Sequence, residues 1–236
     1  NMTIVVAGKI TEATRERIAQ FFGAKKSRTQ KFGTYKPAAF GSVAKADRFR
    51  VRHKATDQAQ LMLGFPAFGH TDPRQPAAVL LNTILGGSMS SRLFIQVRER
   101  RGLAYNVRSG IDSYRDTGYA YVRAGLEAKN INKALACIKD ELNKIVTKEV
   151  TARELADAKT HIRGRITLSL EDSSEQADWY ARQAMFMDKI YLPEERLALI
   201  EKVTPRQVQA LAKQLFRPNQ MRLAIIGDIK PEAVNF

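Results

Sequence analysis

The sequence predicts an α+β fold: an antiparallel or mixed β-sheet with helices packed on one face. Three observations predict it. Short stretches alternate apolar and polar residues, as at Ala59, Leu61, Leu63 and Phe65, the period of a half-buried strand. Longer stretches repeat every three to four residues, best at Ile131, Leu135, Ile138, Leu142 and Ile145, one face of a helix. The two kinds are interleaved irregularly, with hairpin-like neighbours.

The elements follow in order. Thr3 to Ala7 is β-rich and stops at Gly8. Thr11 to Phe22 reads as a short helix with Ile18, Phe21 and Phe22 on its apolar edge and Gly23 at its end. Residues 24–46 are polar and basic, with Gly and Pro, and read as a connector. Arg48–Lys54 and Ala59–Phe65 are strands, the first with its cations on one side. Asp72 caps a helix with Pro73 at its first position; Val79, Leu80, Ile84 and Leu85 face inward. Gly86 and Gly87 stop it. A short amphipathic helix follows, with Leu93, Phe94 and Val97 at helical spacing. Arg98, Arg100 and Arg101 sit in its last turn, where cations suit the helix dipole, and Gly102 is its left-handed end.

From Leu103 the period becomes two, with Leu103, Tyr105 and Val107 on one face. Strands are expected at Leu103–Ser109 and Gly118–Leu126, and a helix from Asn130. Thr151 and Glu154 have the spacing of a capping box, opening a helix with Leu155, Ala158, Ile162 and Ile166 inward. Ser174–Asp188 is helical, with Trp179, Tyr180, Met185, Phe186 and Met187 assigned to core packing. Thr204–Gln207 starts a last helix that stops before Pro218, and Met221–Ile226 is the last strand.

The stretch Leu85–Tyr105 couples a glycine break, a short helix and the start of a strand. Gly86-Gly87-Ser88-Met89-Ser90-Ser91-Arg92-Leu93-Phe94 resembles the glycine-serine-arginine-leucine segment of the M16 zinc metallopeptidases, the insulinase and mitochondrial-processing-peptidase group. Arg98 and Tyr105 resemble that family's arginine–tyrosine pair, seven residues apart. The Pro66–Leu85 region and the Met221–Gly227 strand also fit, so the resemblance covers most of the chain.

Family peptidases carry an inverted zinc motif, His-x-x-Glu-His, in the first of two homologous halves. The three histidines here, His53, His70 and His161, do not form it. Zinc hydrolysis requires about three protein ligands and a general base, so no metal ligand is assigned to this chain. Asp157 and His161, one helical turn apart, read as a surface pair. The two ends of the chain repeat: Met2–Ile10 matches Met221–Ile229 as an apolar strand, a glycine, a charged residue and an isoleucine, at an offset of 219 residues. A repeat of that period fits a duplicated, two-half protein. Residues 1–24 are then the last strand and helix of a preceding homologous half, residues 25–46 a basic linker, and residues 47–236 a second, non-zinc M16-like domain.

Composition is ordinary for a globular protein, 44% hydrophobic and 27% charged. Cys137 is the one cysteine, which excludes an intrachain disulfide. No apolar run has the length of a membrane span. Residues 1–54 hold thirteen Lys/Arg against three Asp/Glu, a net +10 of the chain's +15. Such an excess suits acidic partners, nucleic acid or an anionic membrane surface, or marks a solvated linker beside a basic strand face. No RNA- or DNA-binding motif accompanies it, so nucleic acid is not an expected partner.

The resemblance implies the substrate-binding, non-zinc half of a metalloendopeptidase. Zinc-activated water attacks a peptide carbonyl, with zinc and base on the missing or partner half, in the same polypeptide or another subunit. Arg98 and Tyr105 then reach the bound peptide, and their guanidinium and phenol can donate to its carbonyl groups. Gly86 and Gly87 are structural or line the chamber through their backbone. A second copy docking through residues 1–24 is a further partner to test. The alternative is a non-catalytic M16-like scaffold or assembly subunit. Exported and mitochondrial-type settings both suit the resemblance.

Overall fold

The computed structural model describes residues 2–23 and 44–236; most of the connector, residues 24–43, lies outside them. Five strands form one mixed sheet in the order β1-β5-β2-β4-β3. They are β1 (Phe49–His53), β2 (Ala59–Ala67), β3 (Asn106–Ser113), β4 (Gly118–Leu126) and β5 (Arg222–Gly227). β1 and β5 are parallel, and the other neighbours are antiparallel. The last strand therefore inserts between the first two. On β2 the alternation is as the sequence indicates: Ala59, Leu61, Leu63 and Phe65 are buried.

The buried face is covered by helices, among them α2 (Gln75–Leu85), α3 (Ile131–Thr147), α4 (Ala152–Ser169) and α7 (Pro205–Leu215). On α3 all five residues of the sequence pattern are buried. Each helix side chain of that size contributes roughly 1.5–3 kcal/mol when fully removed from water. The capping box of α4 is formed: Thr151 Oγ1 accepts from Glu154 N–H at 3.1 Å, and Glu154 Oε2 accepts from Thr151 N–H at 2.9 Å. α7 has the same arrangement with Thr204 and Gln207. No helix among the described residues is long and apolar enough to cross a membrane.

Several sequence expectations are corrected. Residues 2–10 form no strand. A strand exists only where a neighbour pairs its backbone groups, and among the described residues no backbone hydrogen bond pairs Thr3–Ala7. The first helix, α1 (Glu12–Ile18), continues into a π-helical turn at Ala19–Gly23, and neither buries a residue. Helix α2 starts later than Asp72. Asp72 instead accepts from the Arg74 N–H and guanidinium at 2.9, 2.8 and 2.6 Å, closing a turn before the helix. Val79 is exposed, and Leu81 takes the inward place, because α2 packs through a face rotated by part of a turn. Helix α5 (Ser173–Phe186) buries only Gln183. Trp179 and Tyr180 are half-buried, while Met185 and Phe186 are exposed, so this helix lies at the rim of the core. Helix α6 (Pro193–Glu201) was not read from the sequence, although Pro193 and two glutamates mark its first turn.

Candidate functional site

The Leu85–Tyr105 unit is built on close backbone contact. α2 ends at Gly86, whose N–H reaches the Asn82 carbonyl at 3.0 Å. A Cβ on Gly86 would lie 2.5 Å from the Ser109 nitrogen, so only glycine lets this end meet β3. There Ser109 donates its backbone N–H to the Gly86 carbonyl at 3.2 Å and its hydroxyl to Asn82 Oδ1 at 2.6 Å. At Gly87 a Cβ would meet Asn82 O and Thr83 Cα at 3.0 Å. Gly87 also lines a cavity of about 410 Å³ with Asn82, Thr83, His161 and Trp179. Both glycines therefore shape backbone packing, and Gly87 contributes to a cavity wall.

Arg98 lies in a π-helical turn, Phe94–Glu99, rather than in an α-helix. Leu93 and Val97 anchor it in the core. The turn closes with Gly102 N–H on the Arg98 carbonyl at 3.0 Å and Leu103 N–H on the Val97 carbonyl at 2.9 Å. Gly102 has φ +57°, the left-handed end read from the sequence. The Arg98 side chain is half exposed, its guanidinium carbon 4.9 Å from the Phe94 ring centroid. Its nearest carboxylate is Glu99 at 3.9 Å, which leaves most of its donors uncommitted.

Tyr105 does not share a face with Leu103 and Val107. It is exposed, while Leu103, Ala104 and Val107 are buried. The strand proper starts only at Asn106, and two consecutive residues after Gly102 enter the core, which shifts the alternation. Tyr105 N–H bonds the Gly125 carbonyl at 2.9 Å, fixing its backbone to β4. Its hydroxyl donates to Glu127 Oε1 at 3.1 Å, and Lys129 pairs with Glu127 Oε2 at 2.5 Å. Hydrogen bonding to Glu127 raises the Tyr105 pKa. Hydrogen bonds from Lys129 and then Tyr105 lower that of Glu127. The sequence spacing gave no sign of this Tyr105–Glu127–Lys129 chain. Arg98 and Tyr105 are thus both solvent-accessible donors, but no hydrogen bond links them; Glu99 attends one and Glu127 the other.

Among the described residues no group of three or more His, Cys, Asp or Glu side chains is placed to hold a metal. Glu154, Asp157 and His161 border one small cavity. Glu154 is taken by Arg92, which donates at 2.8 and 3.1 Å. Asp157 faces Arg153 at 3.8 Å. The donor set does not fit zinc, and no step is derived through a metal on this chain. Cys137 is buried, and burial pushes its thiol pKa up, which suits packing rather than nucleophilic attack.

The family model for the peptidase M16 inactive domain matches residues 1–162. The chain belongs to the M16 peptidase family. It is 35% identical over 191 residues to an uncharacterized zinc protease of Streptomyces coelicolor, covering 80% of this chain and 41% of that protein. It is 31% identical over 215 residues to the uncharacterized zinc protease YmxG of Bacillus subtilis, covering 91% and 51%. The chain thus spans about half the length of the curated relatives it matches. The crystal structure of a peptidase M16 inactive domain from Pseudomonas fluorescens superposes with a TM-score of 0.71 at 24% identity, over 77% of this chain and 44% of that one. The α+β architecture is the fold of that domain.

Proposed function

We propose that this chain is the substrate-binding, non-zinc half of an M16-type metalloendopeptidase, hydrolysing peptides only together with a zinc-bearing half. The observation that carries the reading is the Arg98–Tyr105 unit. Two exposed hydrogen-bond donors stand at either side of a fixed Gly102 reversal, on a backbone locked to the core by Leu93, Val97 and the Gly125 carbonyl. A peptide carbonyl can accept from the guanidinium at once. The phenol must first exchange Glu127 for the substrate, because it has one proton to give. Membership of the inactive-domain family, and relatives named as zinc proteases, support assigning the zinc to another half. Residues 1–24 are proposed as the last strand and helix of that preceding half, on the strength of the end-to-end repeat.

The test is steady-state peptide hydrolysis by the two-half protein carrying Arg98→Ala or Tyr105→Phe, with zinc content and Tm measured alongside. Loss of a donor that stabilises developing oxyanion charge lowers kcat/KM by about 10²–10³, and loss of one that only positions the peptide lowers it less. Glu127→Ala frees the phenol and is expected to keep or raise activity. Unchanged kcat/KM in both donor variants, with zinc and Tm intact, would move the protein to the scaffold reading.

A further inference from the structure

The helices cover one face of the sheet, and the other face is rich in arginine. Its outward positions hold Arg50 and Arg52 on β1, Arg222 on β5, Arg123 on β4 and Arg108 on β3. The one carboxylate among these outward strand positions, Asp112, accepts from the Tyr119 hydroxyl at 2.8 Å. Arg50 pairs with Asp47 at 2.7 Å. The other four arginines make no ion pair among the described residues.

Register places Arg108 directly opposite Arg123, and Arg123 opposite Met62. Like charges directly opposite on neighbouring strands are destabilising. Arg123 lies over the Tyr121 ring at 5.9 Å, but among the described residues no carboxylate pairs with Arg108 or Arg123, so the face suits an anionic occupant. The surface is also shaped to take one. Gly64 lies between Arg222 and Tyr121 across the strands, and a Cβ there would meet nothing within 4 Å. The Tyr121 ring instead lies over Gly110, on the side away from Gly64. A trough floored by glycine is left, with arginine on one bank. At its end the Asn106 and Gln60 carboxamides close over Gly125, offering donors and acceptors that suit a main chain.

We propose that this open sheet face binds an acidic polypeptide segment in extended form. Its carboxylates meet Arg222, Arg123, Arg108 and Arg52, and its backbone lies over Gly64. The inference rests on the peptidase reading only in making that segment a substrate. Nucleic acid is disfavoured, because no RNA- or DNA-binding motif accompanies these basic residues.

The test is fluorescence anisotropy on the chain with three labelled probes: an oligoglutamate peptide, an oligolysine peptide of equal length and a single-stranded oligonucleotide of equal charge. Oligoglutamate is expected to bind, more weakly as salt is raised, and oligolysine is not. Replacing both Arg108 and Arg123 by Gln is expected to weaken oligoglutamate at least about tenfold, while Tm holds or rises as the repulsion is relieved. If that variant fails to fold, Arg52→Gln with Arg222→Gln asks the same question. Arg163→Gln, on the helical side, is expected to leave binding unchanged. No oligoglutamate binding, tighter binding of the oligonucleotide, or indifference to the arginine pair would overturn the proposal. If oligoglutamate fails to bind while Arg98→Ala still lowers turnover, this surface is lost and the peptidase reading stands. Binding that survives alongside turnover indifferent to Arg98 and Tyr105 overturns the peptidase reading instead and leaves the surface standing.

Discussion

Residues 2–10 and 221–229 carry nearly the same pattern and have opposite fates. In the second copy Leu223 and Ile225 are buried, the strand pairs with β1 on one side and β2 on the other, and Gly227 is pressed against Ala59. In the first, the matching Ile4 and Val6 are 40% and 45% exposed, and Gly8 stands at φ +122° with nothing within 4 Å of where its Cβ would be. Alternation and β-branched residues make a segment able to be a strand. A neighbour's unpaired backbone makes it one. The first copy has the ability without the neighbour, which is why we propose it as part of another half.

The largest expected effect sets the two copies side by side. Ile225→Asp buries an unpaired charge in the core and is expected to cost more than about 4 kcal/mol, enough to prevent folding. Val6→Asp, at the matching position, is expected to change stability by less than about 0.5 kcal/mol. Urea unfolding of both variants checks this. Equal destabilisation would mean that residues 2–10 are packed after all.

Hydrogen exchange sharpens the same contrast without mutation. Amides of residues 222–227 should open only with global unfolding and be protected by about 10³-fold or more, whereas those of residues 3–7 should exchange nearly as fast as an unfolded chain. In the two-half protein the second group should become protected as well. Rapid exchange at residues 3–7 there would remove their assignment to the preceding half.

What was legible in the sequence followed the same division between local ability and partner. The α3 face, the Thr151 and Thr204 caps, the left-handed Gly102 and the β2 alternation depend on neighbours within a few residues, and they stand as read. The insertion of β5 between β1 and β2 depends on partners 158 to 174 residues away, and no local pattern encodes it. Counting the alternation from Leu103 puts Tyr105 on the wrong side, whereas pairing fixes it from Asn106. Hydrophobicity alone places the apolar residues of α5 in the core, because it does not say whether anything lies opposite. Arg98 and Tyr105 were found through resemblance alone, and Glu127 was missed because its contact spans 22 residues.

Arg92 gives a mid-sized test confined to the packed part of the molecule. It donates twice to Glu154, which also caps α4. Burial pushes the Glu154 carboxyl up, but Arg92 and the Thr151 N–H outweigh this and leave its pKa lowered. A carboxylate lowered on folding stabilises fully above its unfolded pKa, and that contribution is lost as pH falls through the folded value. Arg92→Ala is expected to cost about 1–2 kcal/mol at neutral pH, since the pair is partly exposed. The cost should shrink in acid, where Glu154 is protonated in both proteins. Tm measured against pH for both checks this; a constant difference would mean that Arg92 acts through packing.

The smallest effect is the most discriminating, because the local chemistry is alike on both sides. Thr11 and Thr151 both close capping boxes: Thr11 Oγ1 accepts from Thr14 N–H at 3.3 Å, and Thr151 Oγ1 accepts from Glu154 N–H at 3.1 Å. Replacing an N-cap threonine by alanine costs a helix about 1 kcal/mol. For α4, which is buried through Leu155, Ala158 and Ile162, that loss is passed to the whole domain, and Thr151→Ala should lower global stability by about that amount. α1 buries nothing, so Thr11→Ala should fray α1 and leave the global transition where it was. Circular dichroism should register slightly less helix in Thr11→Ala with an unchanged urea midpoint, and a shifted midpoint in Thr151→Ala. A shifted midpoint in Thr11→Ala would show that residues 11–23 are docked on the domain, and would count against treating them as part of a preceding half.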